Sequence, residues 1–279
     1  MQRTMGMAER MEEVGRKVLR PFMPEQHRAF FAQLPFVVLG SVDGAGDAWA
    51  TLRAGAPGFM TSPDPVTLNV ALPPQPDDPA EAGLADGNAV GLLGIELHTR
   101  RRNRLNGTLH RRDAAHVTVT VGESFGNCPQ YIHVRDWTPV PDRLPRPAEA
   151  LAALGPRERA LIAASGTFFV ASYADTAAGR RVDVSHRGGV AGFVDVAPDG
   201  TLTVPDYPGN RFFNTLGNLL LNGRAGLVFV DFASGDVLQM SGDAEVVQDG
   251  AAAAWVPGAE RLWRFKPRRI VWRAAALPH

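Results

Sequence analysis

Apolar and polar positions divide the chain into a short helical start and two β-rich stretches. Residues 1–30 place Met11, Val14, Val18 and Leu19 roughly on one face, and this spacing predicts a helix. From Phe36 the period shortens. Strand-like runs cover Phe36–Val42, Ala48–Arg53, Thr67–Val70 and Val90–Leu97, with Thr108–His110 and Val117–Val121 as shorter candidates. Pro73 to Pro79 is a proline-rich loop, because proline removes the donors that strand pairing needs. Four prolines within 139–148 read as a linker. Pro156 to Ala164 predicts a helix, with proline in its first turn and Glu158 beside the positive end of its dipole. A second β-rich stretch runs from Thr167 to Val247, Ala251–Ala254 is a weak tail segment, and Trp263–Trp272 closes the chain as an alternating strand.

The two stretches look like copies of one unit. Phe36-Val37-Val38 aligns with Phe168-Phe169-Val170. Each run leads through a glycine-rich turn into Gly-Phe, at Gly58-Phe59 and Gly192-Phe193. Further on, Gly91–Leu97 followed by Gly107 echoes Leu227–Phe232 followed by Gly242. The preserved order of several matches indicates internal duplication. The expected units are residues 1–137, a degenerate half with a helical start, and residues 157–279, the functional half. Either the halves pair within one chain, or the second halves of two chains pair with the first halves outside.

Composition narrows the function. The 279 residues hold 29 Lys+Arg and 29 Asp+Glu, so no global charge points to nucleic acid or to an anionic membrane. Arg100-Arg101-Arg102 and Arg111-Arg112 read as solvated strand ends or turns. The one cysteine, Cys128, excludes an intrachain disulfide and a cysteine-built metal cluster. The seven histidines have no metal-ligand spacing, no apolar run reaches membrane-spanning length, and the first twenty residues lack the apolar core of a secretion signal. The expectation is a soluble cytoplasmic protein. Cys128 lies in a turn before Pro129, with Tyr131 and Trp137 near enough in sequence to wall a substrate pocket. A buried structural cysteine is the competing reading.

Candidate chemistry is concentrated in Gly209–Asn218. Arg211 offers a planar fork of donors suited to phosphate oxygens, and Asn210, Asn214 and Thr215 add neutral donors. With Asn214 as cap of a helix from Thr215 to Leu221, free backbone N–H groups would face the same anion. An ordinary capped helix with a solvated arginine fits the composition equally well.

Gly209–Asn222, with Arg224–Phe232 and Gly235–Gly242, resembles the pyridoxamine 5′-phosphate oxidase-like, FMN-binding split-barrel family, and Ser124–Ile132 resembles a segment of one of its subgroups. The resemblance spans most of the chain from about residue 30. It implies a mainly β fold built on a split β-barrel, usually a homodimer with FMN at the subunit interface. On that resemblance Arg211, Asn214 and Thr215 hold the FMN phosphate, Ser185 and His186 lie on the strand beside the flavin, and Gln239 lies near the cofactor. Strand alternation places Ser185 with Arg181, Asp183 and Arg187, and His186 with Val182 and Val184. Gly188 and Gly189 are expected to let backbone groups approach the ring closely. The arginine–histidine substrate motif of the vitamin B6 oxidase is missing from Phe265–Trp272, so the resemblance describes the fold and not that reaction. The function it implies is an FMN-dependent oxidoreductase acting on a small molecule, with NAD(P)H or oxygen as partner. A flavin-storage protein without turnover is the alternative, and a haem-binding split barrel the weaker one.

Overall fold

The computed structural model describes residues 18–136, 140, 146–210, 212–247 and 256–277. Arg211, Trp137, Met11, Val14 and Ala251–Ala254 lie outside them. Helix α1 (Glu25–Gln33) leads into a first sheet of β1 (Phe36–Val42), β2 (Ala48–Ala54), β3 (Met60–Asp64), β4 (Thr67–Ala71), β5 (Ala89–Glu96), β6 (Arg101–Arg111) and β7 (His116–Gly126). A short strand β8 (Glu149–Leu151) and helix α2 (Pro156–Ala164) follow. The second sheet holds β9 (Thr167–Thr176), β10 (Gly179–Gly188), β11 (Asp195–Val196), β12 (Leu202–Asp206), β13 (Arg224–Val230), β14 (Val237–Val247) and β15 (Arg261–Arg273), with helix α3 (Asn214–Asn222) between β12 and β13.

The strand orders are β2-β1-β5-β6-β7-β4-β3 and β10-β9-β13-β14-β15-β12-β11, the same path twice. The fold is therefore a duplicated split barrel. Each sheet wraps its own apolar core, one around Val37, Leu39, Leu92 and Leu105, the other around Phe168, Val170, Leu227 and Trp263. A third cluster joins the halves: Phe36, Val38 and Leu93 pack with Phe169, Ala171, Val184 and Val228. This explains why β1 and β9 are apolar almost throughout. One face fills a barrel and the other fills the seam, so the alternation of a half-exposed strand is lost. Of the two arrangements open to the sequence, the halves pair within one chain.

The structure corrects the internal alignment by one residue. Val37 and Leu39 point into the first barrel as Phe168 and Val170 point into the second, so Val37, not Phe36, matches Phe168. A one-residue slip reverses every side chain in a strand, which makes burial a stricter guide than residue likeness. The same shift pairs Gly91 with Gly226: Gly40 pairs Gly91 in one ladder and Ala171 pairs Gly226 in the other. A Cβ on Gly226 would lie 2.3 Å from the Ala48 carbonyl oxygen, and one on Gly91 would lie 3.0 Å from the Asp183 backbone. Both glycines are where the two halves touch backbone to backbone. Each half also has a register shift at a glycine, at Asn106/Gly107 and at Ser241/Gly242.

Other differences are local. The helix near the start covers Glu25–Gln33, and Val18 and Leu19 precede it. The expected linker is followed directly by β8, paired with β15. The short candidate Thr108–His110 lies near the end of one eleven-residue strand and Val117–Val121 near the start of another. Polar and glycine positions hide their length, because one end of each strand lines a polar cleft.

Candidate functional site

Equivalent positions in the two ladders locate the site. Leu39 pairs Thr51 and Val170 pairs Ser185, while Val37 pairs Arg53 and Phe168 pairs Arg187. Thr51 thus corresponds to Ser185, and Arg53 to Arg187. Counting back from the two register shifts, Arg104 corresponds to Gln239. Each set of three lies at the seam, two members from one half and one from the other.

In one of the two clefts the chain supplies its own anion. Asp78, at the end of the proline loop, is buried and caps a 3-10 turn over Pro79–Gly83 through the Ala80 N–H at 3.0 Å. Its carboxylate accepts from Thr51 Oγ1, from Arg53 Nη1 and from Gln239 Nε2, the last at 2.9 Å, and Arg273 Nη1 lies 3.0 Å away. Burial alone would raise its pKa. Arg53, Arg273 and the hydrogen bonds outweigh burial and hold it below the usual carboxylate value. Gln239 also donates to the Ala50 carbonyl at 3.0 Å. The structure therefore places Gln239 in this closed cleft, apart from Ser185 and Thr215.

The other cleft has the same frame without a counterpart of Asp78, and the carboxylates near it, Asp183, Asp206 and Glu260, come from its walls. Ser185, Arg187, Asn210, Asn214, Thr215 and Arg104 line it. Thr215 Oγ1 donates to Ser185 Oγ at 2.9 Å, and Ser185 Oγ donates to Asp183 at 3.1 Å. Arg104, reaching across from the first half, donates to both Asp183 oxygens at 3.0 Å. Arg187 Nη1 lies 3.9 Å from Asp206, which is held more closely by Arg261 at 3.0 Å. The Nε atoms of Arg104 and Arg187 are buried with no hydrogen-bond partner, as is that of Arg53 in the closed cleft. Such donors are costly unless a ligand meets them.

Helix α3 directs its first turn into this cleft. Thr215, Leu216 and Leu219 are buried, which fixes the helix against the second barrel. Gly223, with φ of 64°, ends it in a left-handed cap whose N–H bonds the Leu219 carbonyl. At the start, Phe213 sits left-handed with φ of 56° and makes no side-chain cap. Asn214 is therefore the first helical residue and not the cap expected from sequence. Asn210 instead accepts from the Phe212 N–H at 3.3 Å and holds the entering loop.

A second limb of the cleft runs past the other face of edge strand β10. His186, Cys128, Tyr131, Asn127 and Arg102 line it. Tyr131 donates to the Pro208 carbonyl at 2.9 Å and its ring lies 5.3 Å from that of Tyr207. His186 is buried, and its pKa is held well below the ordinary imidazole value by burial, then by Arg102 and Arg187. Cys128 is half-buried. The two glycines serve the chain itself. A Cβ on Gly188 would lie 2.0 Å from the Tyr131 carbonyl oxygen, and one on Gly189 would lie 2.6 Å from the Phe193 ring. Ser185 and His186 thus meet the same cleft from opposite faces of one strand, as their alternation predicts. Arg102, expected with Arg100 and Arg101 in a solvated strand end or turn, is half-buried in the cleft instead, and Arg104 carried no expectation. Their i, i+2 spacing in a strand was the available signal, masked by the neighbouring Arg100 and Arg101.

Among the described residues no cluster of histidine, cysteine and carboxylates has the makings of a metal site, and no helix is long and apolar enough to cross a membrane. No family profile and no curated protein matches the sequence. Solved structures do. A putative pyridoxamine 5′-phosphate oxidase from Lactobacillus delbrueckii is 18% identical, with 38% of this chain and 95% of that one covered and a TM-score of 0.31. A FAD-binding protein from Mesorhizobium loti is 13% identical, with 46% and 97% covered and a TM-score of 0.30. HutZ, the haem storage protein of Vibrio cholerae, is 14% identical, with 44% and 95% covered and a TM-score of 0.31. The chain is similar in fold to pyridoxamine 5′-phosphate oxidase-like split-barrel proteins, and the likeness stops at the fold.

Proposed function

We propose that the open cleft binds FMN and that the chain is an FMN-dependent oxidoreductase acting on a small molecule. The observation that carries this reading is Asp78. A carboxylate occupies the closed cleft on donors equivalent to Ser185, Arg187 and Arg104; in the open cleft Ser185 and Arg104 donate to Asp183, and Arg187, 3.9 Å from Asp206, is the cation left to meet a ligand. The open cleft adds the first turn of α3 and the Thr215 hydroxyl, a donor set that fits a phosphate monoester. Arg211, outside the described residues, belongs to the same loop by sequence.

Bound FMN would supply electron or hydride transfer, which requires no protein acid or base. The chain's own residues do the rest. Ser185, Thr215 and Arg187 would fix the phosphate. Arg104 brings a cation from the first half and is itself held by Asp183. The Tyr131–Tyr207 pair walls the second limb and limits water. Neutral His186 offers a hydrogen bond without adding charge. NAD(P)H or oxygen as the second reactant follows from the same reading.

The test is an absorption spectrum of purified protein, with mass analysis of what heat releases. Flavin bands with released FMN, followed by steady NAD(P)H consumption, support the oxidoreductase. Bound FMN without turnover supports a flavin carrier. A Soret band after haem loading, with no flavin uptake, overturns the reading.

A further inference from the structure

Arg102 has no counterpart in the closed cleft. Ile95 pairs Arg102 in the first ladder and Val230 pairs Val237 in the second, so a buried valine occupies the equivalent position. The arginine is therefore particular to the open cleft.

Its bonds are all to neutral groups. Nε donates to the Cys128 carbonyl at 2.9 Å, and Nη1 lies 3.1 Å from His186 Nδ1. A guanidinium cannot accept, so Nδ1 accepts and the ring proton sits on Nε2. That Nε2 is buried with no partner. The neighbouring cations are better matched, Arg104 by Asp183 and Arg187 by Asp206. Burial, then Arg104 and Arg187, push the Arg102 pKa down to about 9. Among the described residues Arg102 is thus a cation with no carboxylate partner, at a cavity of about 80 Å³ shared with Asn127, Tyr131, Tyr207 and Asp206, whose carboxylate faces Arg187 and Arg261. That space admits a small planar group of atoms.

We propose that the Arg102–His186 limb is an anion subsite for the carboxylate of a small organic acid, which is the substrate class of the cleft. The carboxylate would pair with Arg102 and match its charge, while His186 Nδ1, on the side of the ring away from Nε2, goes on accepting from the same guanidinium. That the acid is a substrate rests on the flavin reading; that the limb binds it does not.

Histidine ring-nitrogen NMR tests the subsite in FMN-loaded protein titrated with propionate and, separately, with uncharged propionamide. Propionate should shift the resonance of His186 Nδ1, which touches Arg102, and bind at least about tenfold more tightly than propionamide. Arg102→Gln should lose about tenfold in propionate affinity while FMN affinity stays within about twofold. Equal binding of acid and amide, or unchanged propionate binding in Arg102→Gln, overturns the proposal. The acid–amide comparison needs no variant and decides the matter if Arg102→Gln does not fold. Protein that takes up no FMN defeats the flavin reading, and the same titration of the flavin-free chain still decides the subsite.

Discussion

The two seam clefts have one frame and opposite contents. In the closed cleft, Thr51, Arg53, Gln239 and Arg273 surround Asp78. In the open cleft, Ser185, Arg187 and Arg104 stand in the matching places, and each cleft keeps buried arginine Nε atoms unmet, Arg53 in the first and Arg104 and Arg187 in the second. A loop of proline and aspartate lies over the first, and a helix with free N-terminal N–H groups lies over the second. Divergence after duplication therefore fell on the connection between the fourth and fifth strands of each half. The seam runs between two halves of one chain. Each cleft is completed from across the seam, by Gln239 and Arg273 in one case and by Arg104 in the other.

The largest effect is expected from emptying the closed cleft. Asp78→Ala leaves Arg53 and Arg273 buried without an anion and should cost about 3–5 kcal/mol in urea denaturation. Asp78→Gly opens the cleft further, and added acetate should raise its melting temperature more than that of the wild type. Equal shifts would mean that the arginines alone do not make an anion site. Emptying the open cleft of its cation should act on binding instead. Arg187→Met should weaken FMN binding about 10- to 100-fold, read by flavin fluorescence titration, with little loss of stability.

The seam itself gives a smaller contrast. Gly226→Ala should destabilise by about 1–3 kcal/mol, because its methyl would press on the Ala48 backbone, and Gly91→Ala by less, since its contact is looser. Similar costs for both would show that the halves do not meet backbone to backbone as described.

The smallest effect concerns pH. The folded His186 pKa is depressed, so the unfolded chain binds the proton first as pH falls. Stability should be full above about pH 6.5 and decline below it, by at most about 1.4 kcal/mol per pH unit for one proton. His27, also buried and depressed, adds a like slope, so His186→Gln should flatten the curve in part. An unchanged slope would mean that the ring is hydrated or charged in the fold.

Much of this was legible in the sequence. Strand β1 and helix α2 appear with the bounds that apolar period and a leading proline gave them. The duplication was visible as well, because two barrels need the same order of strands and turns. Register was not, since residue likeness cannot tell Phe36 from Val37 when both faces of a strand are buried. The phosphate-like segment at 209–218 was conspicuous through its own composition. Arg104 and Asp78 were not, because their roles depend on what lies across the seam. Gln239, expected near the cofactor, sits at the other cleft for the same reason. Only a paired structure shows which half completes which site.

The most direct measurement is the stoichiometry of FMN binding by calorimetry, on the wild type and on Arg187→Met. The account predicts one FMN per chain, displaced by inorganic phosphate at high concentration and greatly weakened by the substitution. Two FMN per chain, or one whose affinity ignores Arg187, would contradict the division into an open and a closed cleft.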